Sequence, residues 1–248
     1  MKWSDEGMVL SSRKYSESAL IVTLMTESHG RHSGLVRGGT NKRNRGVYEP
    51  GNILIVNWQA RLEEHLGTFS CELRQSKAVE ILNNPLKLAG LSSVCTVTEC
   101  SLPEREPCPV FYKNLYKLIY SIDESKWVEK YVVWEMEILA ELGFGLDLDT
   151  CVSTGDSEQL VYVSPKSGRA VSKNAGEPYH SKMLTLPPFL ISSPSLLPSP
   201  DYSDILAGLE LTGFFLKRHV FGHSRYNEPA ARTRFVDRLK QSATISSI

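Results

Sequence analysis

The spacing of apolar residues changes near residue 77, and that change limits the fold more than any other feature of the chain. Before it, apolar and β-branched residues come in short runs separated by turn residues, with no helical period, which is the pattern of short strands. The candidates are residues 7–15, 19–26, 31–37, 52–58 and 67–73. Ser28-His29-Gly30 suits a tight turn between the second and third, because glycine reaches positive φ without a Cβ clash. Between the third and fourth lies RGGTNKRNRG, rich in glycine and charge and poor in groups that pack, and it reads as a mobile, solvent-facing loop. Five short strands with one long basic loop match an OB-fold, a small barrel that commonly binds single strands or oligosaccharides.

After residue 77 the period becomes helical. Phe111, Leu115, Leu118, Ile119 and Ile122 recur at spacings of three and four, as do Trp127, Tyr131, Trp134, Ile138 and Leu142, so each set draws an apolar stripe. Gly143 is placed to stop the second helix, while Pro85 and the proline-rich 100–109 read as breakers. A short strand is expected at 160–163, followed by the turn sequence SPKSGRA. Five prolines in LPPFLISSPSLLPSP rule out a continuous helix or an interior strand there, leaving an irregular connection. A helix over 202–221, capped by Asp201 or Ser203, precedes a short one opened by Pro229 and buried along Phe235 and Leu239. The fold class is therefore α+β: an OB-fold barrel over 1–78, then a mainly helical domain over 79–150 and 201–240. An irregular region at 151–200 interrupts that domain, and 241–248 is expected to be a disordered tail.

Composition narrows the function only by exclusion. With 248 residues, 41% hydrophobic and 23% charged, the chain has enough apolar material for a core and too little net charge for global disorder. The absence of a long apolar run and the charged first ten residues lead us to expect a cytoplasmic protein. Cys71, Cys95, Cys100, Cys108 and Cys151 form an odd set without a C-x-x-C pair, so reduced thiols are expected rather than disulfides or a four-ligand zinc site. The 28 basic and 28 acidic residues cancel overall, but their distribution is uneven. Between Glu27 and Glu49 no acid occurs, while Arg31, Arg37, Lys42, Arg43 and Arg45 do. A second block between 211 and 240 includes Lys217, Arg218, Arg225, Arg232, Arg234, Arg238 and Lys240. On one surface, such blocks suit a polyanion.

No dinucleotide, P-loop, nucleophile-elbow or H-E-x-x-H motif is present. His219 and His223 share i, i+4 spacing, and His29 and His32 flank the turn, but neither pair has a carboxylate or cysteine at matched spacing for a metal. Glu135, Glu137 and Glu141 read as a hydrated helix face. Phosphate binding needs several cations within reach and no fixed residue, which the 28–48 block supplies; Tyr48 and Trp58 are candidate stacking platforms beside it. From charge alone, a nucleic-acid binder, a solvated loop and a docking site for an acidic protein all stay open.

The opening WSDEGMVLSSRKYSESALIVTLMTESHGRHSGLVRGG, the EPGN and W-x-A-R-L-x-E-H-L-G motifs, and the later VWEMEILAELGFGLDLDTC, YVSPKSGRAVS and LTGFFLKRHVFGH resemble the bacterial DNA repair protein RecO family, in the form of its alphaproteobacterial members. The resemblance runs over nearly the whole chain. It implies an OB-fold followed by a helical domain and a non-enzymatic, cofactor-free protein. Such a protein binds single- and double-stranded DNA, anneals complementary strands, and with RecR helps load RecA onto strands coated by the single-strand binding protein SSB. Carried over by motif, DNA binding falls on Arg31, Arg37, Lys42, Arg43 and Arg45, extended by Lys217 and Arg218. A pocket for the acidic, hydrophobic-ended SSB tail falls on Phe214, Phe215, Lys217 and Arg218. Some members carry a zinc module of two C-x-x-C pairs after the E-L-G-F-x-L-D-L motif. Here only Cys151 stands at its start, with Thr154 at the next knuckle position, so a zinc-less segment held by packing is expected. The alternatives are a metal-dependent nuclease or phosphoesterase using His219 and His223, and a protein-interaction scaffold.

Overall fold

The computed structural model describes residues 1–44, 46–191, 200–222 and 228–246, with 243–246 as backbone only. Arg45, His223 and residues 192–199, which include most of the proline-rich connection, lie outside the described residues. The chain divides into two compact units, Met1–Asp123 with Pro229–Arg238, and Glu124–Glu228 with Leu239–Ile248.

The first unit is built on five strands: β1 (Lys2–Lys14), β2 (Ala19–Thr26), β3 (Gly30–Arg37), β4 (Ile53–Gln59) and β5 (Thr68–Gln75). They close into a barrel of order β1-β2-β3-β5-β4, sealed by a parallel contact of β3 with β5 at Leu35 and Thr68. β1 starts five residues before the sequence expectation because it serves two partners. Its first half pairs with β4 and its second with β2, and the register slips between Val9 and Ser11. That extra residue is a bulge, which lets one long strand bend around a small barrel. Alternation does the rest: His32, Gly34 and Val36 of β3 are buried while Arg31, Ser33 and Leu35 are less so. Val9, Val22, Leu24, Val36, Leu54, Val56, Trp58 and Phe69 fill the interior. Gly30 (φ +61°) turns β2 into β3, and a Cβ there would come within 2.0 Å of the Glu106 carbonyl oxygen, so the turn needs glycine on both counts.

Three helices complete most of this unit: α1 (Lys77–Glu80), α2 (Pro85–Ser101) and α3 (Pro109–Tyr120). Pro85 is a starter rather than a breaker. It occupies the first turn, where no amide is needed, and the Asn84 side chain accepts from the amides of Leu86 (3.1 Å) and Lys87 (3.0 Å). α2 docks on the barrel, with Ser11 Oγ donating to Glu99 at 2.8 Å.

The second unit holds α4 (Trp127–Glu141), a small sheet of order β7-β6-β8, and two further helices. The strands are β6 (Leu160–Val163), β7 (Ala170–Ser172) and β8 (Leu184–Thr185); α5 is Lys173–Gly176 and α6 is Tyr202–Leu216. α4 ends before Gly143 (φ +81°), as its sequence suggests. α6 opens with a reciprocal capping box between Asp201 and Asp204, and passes close to α4 where Gly208 faces Val132. A single π turn, Lys217–Phe221, continues it. α7 (Ala230–Ser246) is helical beyond Gln241, where the sequence pattern has already faded. No helix among the described residues is long and apolar enough to cross a membrane.

Candidate nucleic-acid interface

The basic loop is folded, not the packing-poor, mobile segment its composition suggests. Gly38 accepts from the Asn41 amide and from Asn44 Nδ2 (3.1 Å), a 3-10 turn forms at Lys42–Asn44, and Thr40 Oγ1 donates to the Glu17 carbonyl at 2.7 Å. Fully buried Asn52 donates to the carbonyls of Gly46 (2.8 Å) and Val47 (3.1 Å) and accepts from Ser76 Oγ. A loop whose backbone groups are satisfied in this way has an ordered backbone. Arg37, Lys42 and Arg43 are exposed on it, and among the described residues no carboxylate lies within ion-pair distance of them.

Arg31 is different. It begins β3 while Arg37 ends it, which puts the two at opposite ends of the barrel. Its Nε donates to the Leu102 carbonyl at 2.8 Å and its guanidinium pairs with Glu104 at 3.3 Å. Its charge is spent on the molecule's own loop. The register adds two cations that charge counting missed: Lys14 pairs with Leu20, and Arg37 with Ala19, so exposed Arg13 and Lys14 share the barrel end of Arg37. Exposed Tyr15 follows them. The sequence signal was available in R-K-Y at a strand end, but these residues precede the acid-free stretch.

Both candidate stacking residues belong to the core. Tyr48 is buried in the barrel interior, where burial, and then Cys71, push its hydroxyl up to about 12. Trp58 is buried too, its Nε1 donating to the Leu66 carbonyl at 3.0 Å.

In the second unit Lys217 and Arg218 are exposed at the end of α6, with the Arg218 guanidinium donating to the Pro165 carbonyl. Phe214 is 37% exposed, whereas Phe215 is buried. Half-buried His219 stacks on Phe144 at 4.5 Å. Glu135 corrects the reading of α4: it is fully buried and accepts from Thr212 Oγ1 at 2.5 Å, so the hydrated face is confined to Glu137 and Glu141. At the expected zinc-module position, the Cys151 sulfur accepts from the Ser172 amide at 3.3 Å. Burial opposes ionisation of this thiol, but hydrogen bonds from Ser172 and Thr154 outweigh it and bring it down to about 6. One sulfur cannot make a four-ligand site, and no cluster of three or more metal-ligating side chains occurs among the described residues.

Comparison with known proteins gives the family. Residues 1–77 match the family model for the N-terminal part of recombination protein O, and residues 82–226 match that for its C-terminal part. The chain belongs to the recombination protein O family. It is 47% identical to the DNA repair protein RecO of Rhodospirillum centenum over all of this chain and 98% of that one. To RecO of Rhodospirillum rubrum it is 42% identical over 97% of both. To RecO of Bartonella quintana it is 42% identical over 95% of this chain and 96% of the relative. A RecO family identity supports a role in DNA repair and recombination, and the barrel followed by helices matches the architecture expected from the resemblance.

Proposed function

We propose that this RecO family protein is a cytoplasmic, non-enzymatic recombination mediator that anneals complementary strands and, with RecR, helps load RecA onto SSB-coated single-stranded DNA. The observation that carries the DNA-binding part is the group of exposed cations without carboxylate partners, Arg37, Lys42 and Arg43, on a hydrogen-bonded loop beside Arg13 and Lys14. Two strands repel through their phosphates. Cations that neutralise both lower that repulsion and let base pairing nucleate, while released counterions favour binding. Arg45 falls in the same stretch, outside the described residues. The test is annealing of complementary strands with and without SSB. Acceleration in both conditions supports the reading; no acceleration by the intact protein contradicts it.

The SSB tail pairs an apolar end with acidic residues, and the end of α6 offers Phe214 beside Lys217 and Arg218. Phe215 serves this site only as packing beneath Phe214, the rings meeting edge to face at 5.2 Å. Replacing Lys217 and Arg218 together with alanine is expected to weaken a fluorescent tail peptide about tenfold, as loss of two partly solvated charge contacts should. A peptide that binds the double variant like wild type moves the pocket elsewhere. Metal analysis of the purified protein is expected to show no stoichiometric zinc.

A further inference from the structure

The end of the barrel opposite the basic loop carries a second feature. Trp3 on β1, Trp58 on β4 and Phe69 on β5 are neighbours in register across three strands, and His32 of β3 meets both tryptophans edge-on, at 5.2 and 5.0 Å. Trp3 is half-buried and stacks on His29 at 4.1 Å. A cleft of about 550 Å³ opens here, lined by Lys2, Trp3, His29, His32 and Arg105 among others. Trp3 and Trp58 also wall a neighbouring cleft of about 430 Å³ that adds the amides of Asn57 and Gln59.

Two observations single out this place. His32 is 3% exposed, yet neither ring nitrogen has a hydrogen-bond partner. A neutral imidazole offers one donor and one acceptor, and leaving both unmade in a protein interior is costly unless water or a ligand takes them. Burial above all, then the charges of Arg105 and His29, hold this ring down at about 4, so near neutral pH it is in that donor–acceptor form. Arg105, for its part, sits in the left-handed region at φ +62°, a conformation disfavoured for a side chain with a Cβ. Its guanidinium donates to the carbonyls of Glu63 and His65, and among the described residues no carboxylate pairs with it. Positive charge is thus fixed at the rim of an aromatic cleft.

We propose that this end of the barrel binds one unpaired nucleobase, read by the free nitrogens of His32 among the aromatic walls, with its phosphate held by Arg105 and Lys2. Aromatic rings, a donor–acceptor pair and the cations Lys2 and Arg105, with Glu63 the one acidic residue among the lining, fit a nucleotide better than an apolar side chain. The base can come from a single strand or from a free nucleotide; only the first source rests on the DNA-binding reading above. His32 and Arg37 are five residues apart on β3, roughly 17 Å, so the two sites are separable by mutation.

The test uses the full-length protein and His32→Phe, which keeps a ring in the aromatic cage and removes both nitrogens. In wild type, deoxyadenosine monophosphate is expected to shift the His32 ring-nitrogen resonances, whereas inorganic phosphate is not. The variant should melt no lower than wild type and bind the mononucleotide at least about tenfold more weakly, within the range one stacked base contributes. If oligothymidylate also weakens with an unchanged salt dependence, the base comes from a strand; if it does not, from a free nucleotide. Mononucleotide binding by His32→Phe at wild-type strength, or equal shifts from phosphate alone, overturns the proposal. Failure of oligothymidylate to bind wild type would count against the DNA-binding reading and leave the mononucleotide result to decide this one.

Discussion

Reversing Arg37 and Arg43 together to glutamate is expected to weaken single-strand binding ten- to a hundredfold near physiological salt without lowering the melting temperature. Both side chains are exposed and lack carboxylate partners among the described residues, so the fold loses no ion pair when they change. Each lost phosphate contact removes about 0.7 from the salt slope of single-strand binding, and the introduced acids repel the backbone as well. The slope should therefore become shallower by at least about 1.4. Arg31→Ala is the informative control. Because Arg31 serves Glu104 and the Leu102 carbonyl, its loss should lower stability and leave the slope intact. Binding of the double reversal at wild-type strength would remove the loop from the mechanism.

Replacing Glu135 with alanine should destabilise the protein by about 3 kcal/mol, because it leaves a cavity at a fully buried position and removes the acceptor of the short Thr212 hydrogen bond. For a chain of this size that corresponds to a fall in melting temperature of roughly 6 to 12 °C. Thr212, its partner, lies on α6, whose following turn carries Lys217 and Arg218, so the buried bond also fixes where those cations are presented. Glu141→Ala, on the same helix but exposed, should change stability by no more than about 0.5 kcal/mol. Equal melting of the two variants in thermal unfolding would show that the Glu135–Thr212 bond contributes nothing.

What could be read from the sequence was what depends on local pattern. The strand at Ala19–Thr26 and the stop of α4 at Gly143 follow from side-chain period and from the freedom of one glycine. What depends on distant partners could not be read. The charge of Arg31 counts toward a basic block until Glu104, seventy-three residues on, is seen to take it. Tyr48 looks like a platform in a loop, yet the chain returns there to fill the barrel. Glu135 falls on an ordinary amphipathic pattern, and only the approach of α6 buries it. Arg13 and Lys14 gain their meaning from the register of β1 against β2, which sets them beside Arg37. Trp3, one aromatic residue near a terminus, carries no pattern in the sequence until three strands bring Trp58 and Phe69 alongside.

The central claim is that a fixed set of cations at one end of the barrel grips sugar-phosphate chains. Fluorescence anisotropy of a short labelled single strand, titrated with salt, tests it most directly. With Arg13, Lys14, Arg37, Lys42 and Arg43 each meeting one phosphate, the logarithm of the binding constant should fall against that of salt concentration with a slope of roughly −3.5. A slope near zero, or no binding at low salt, would contradict the account.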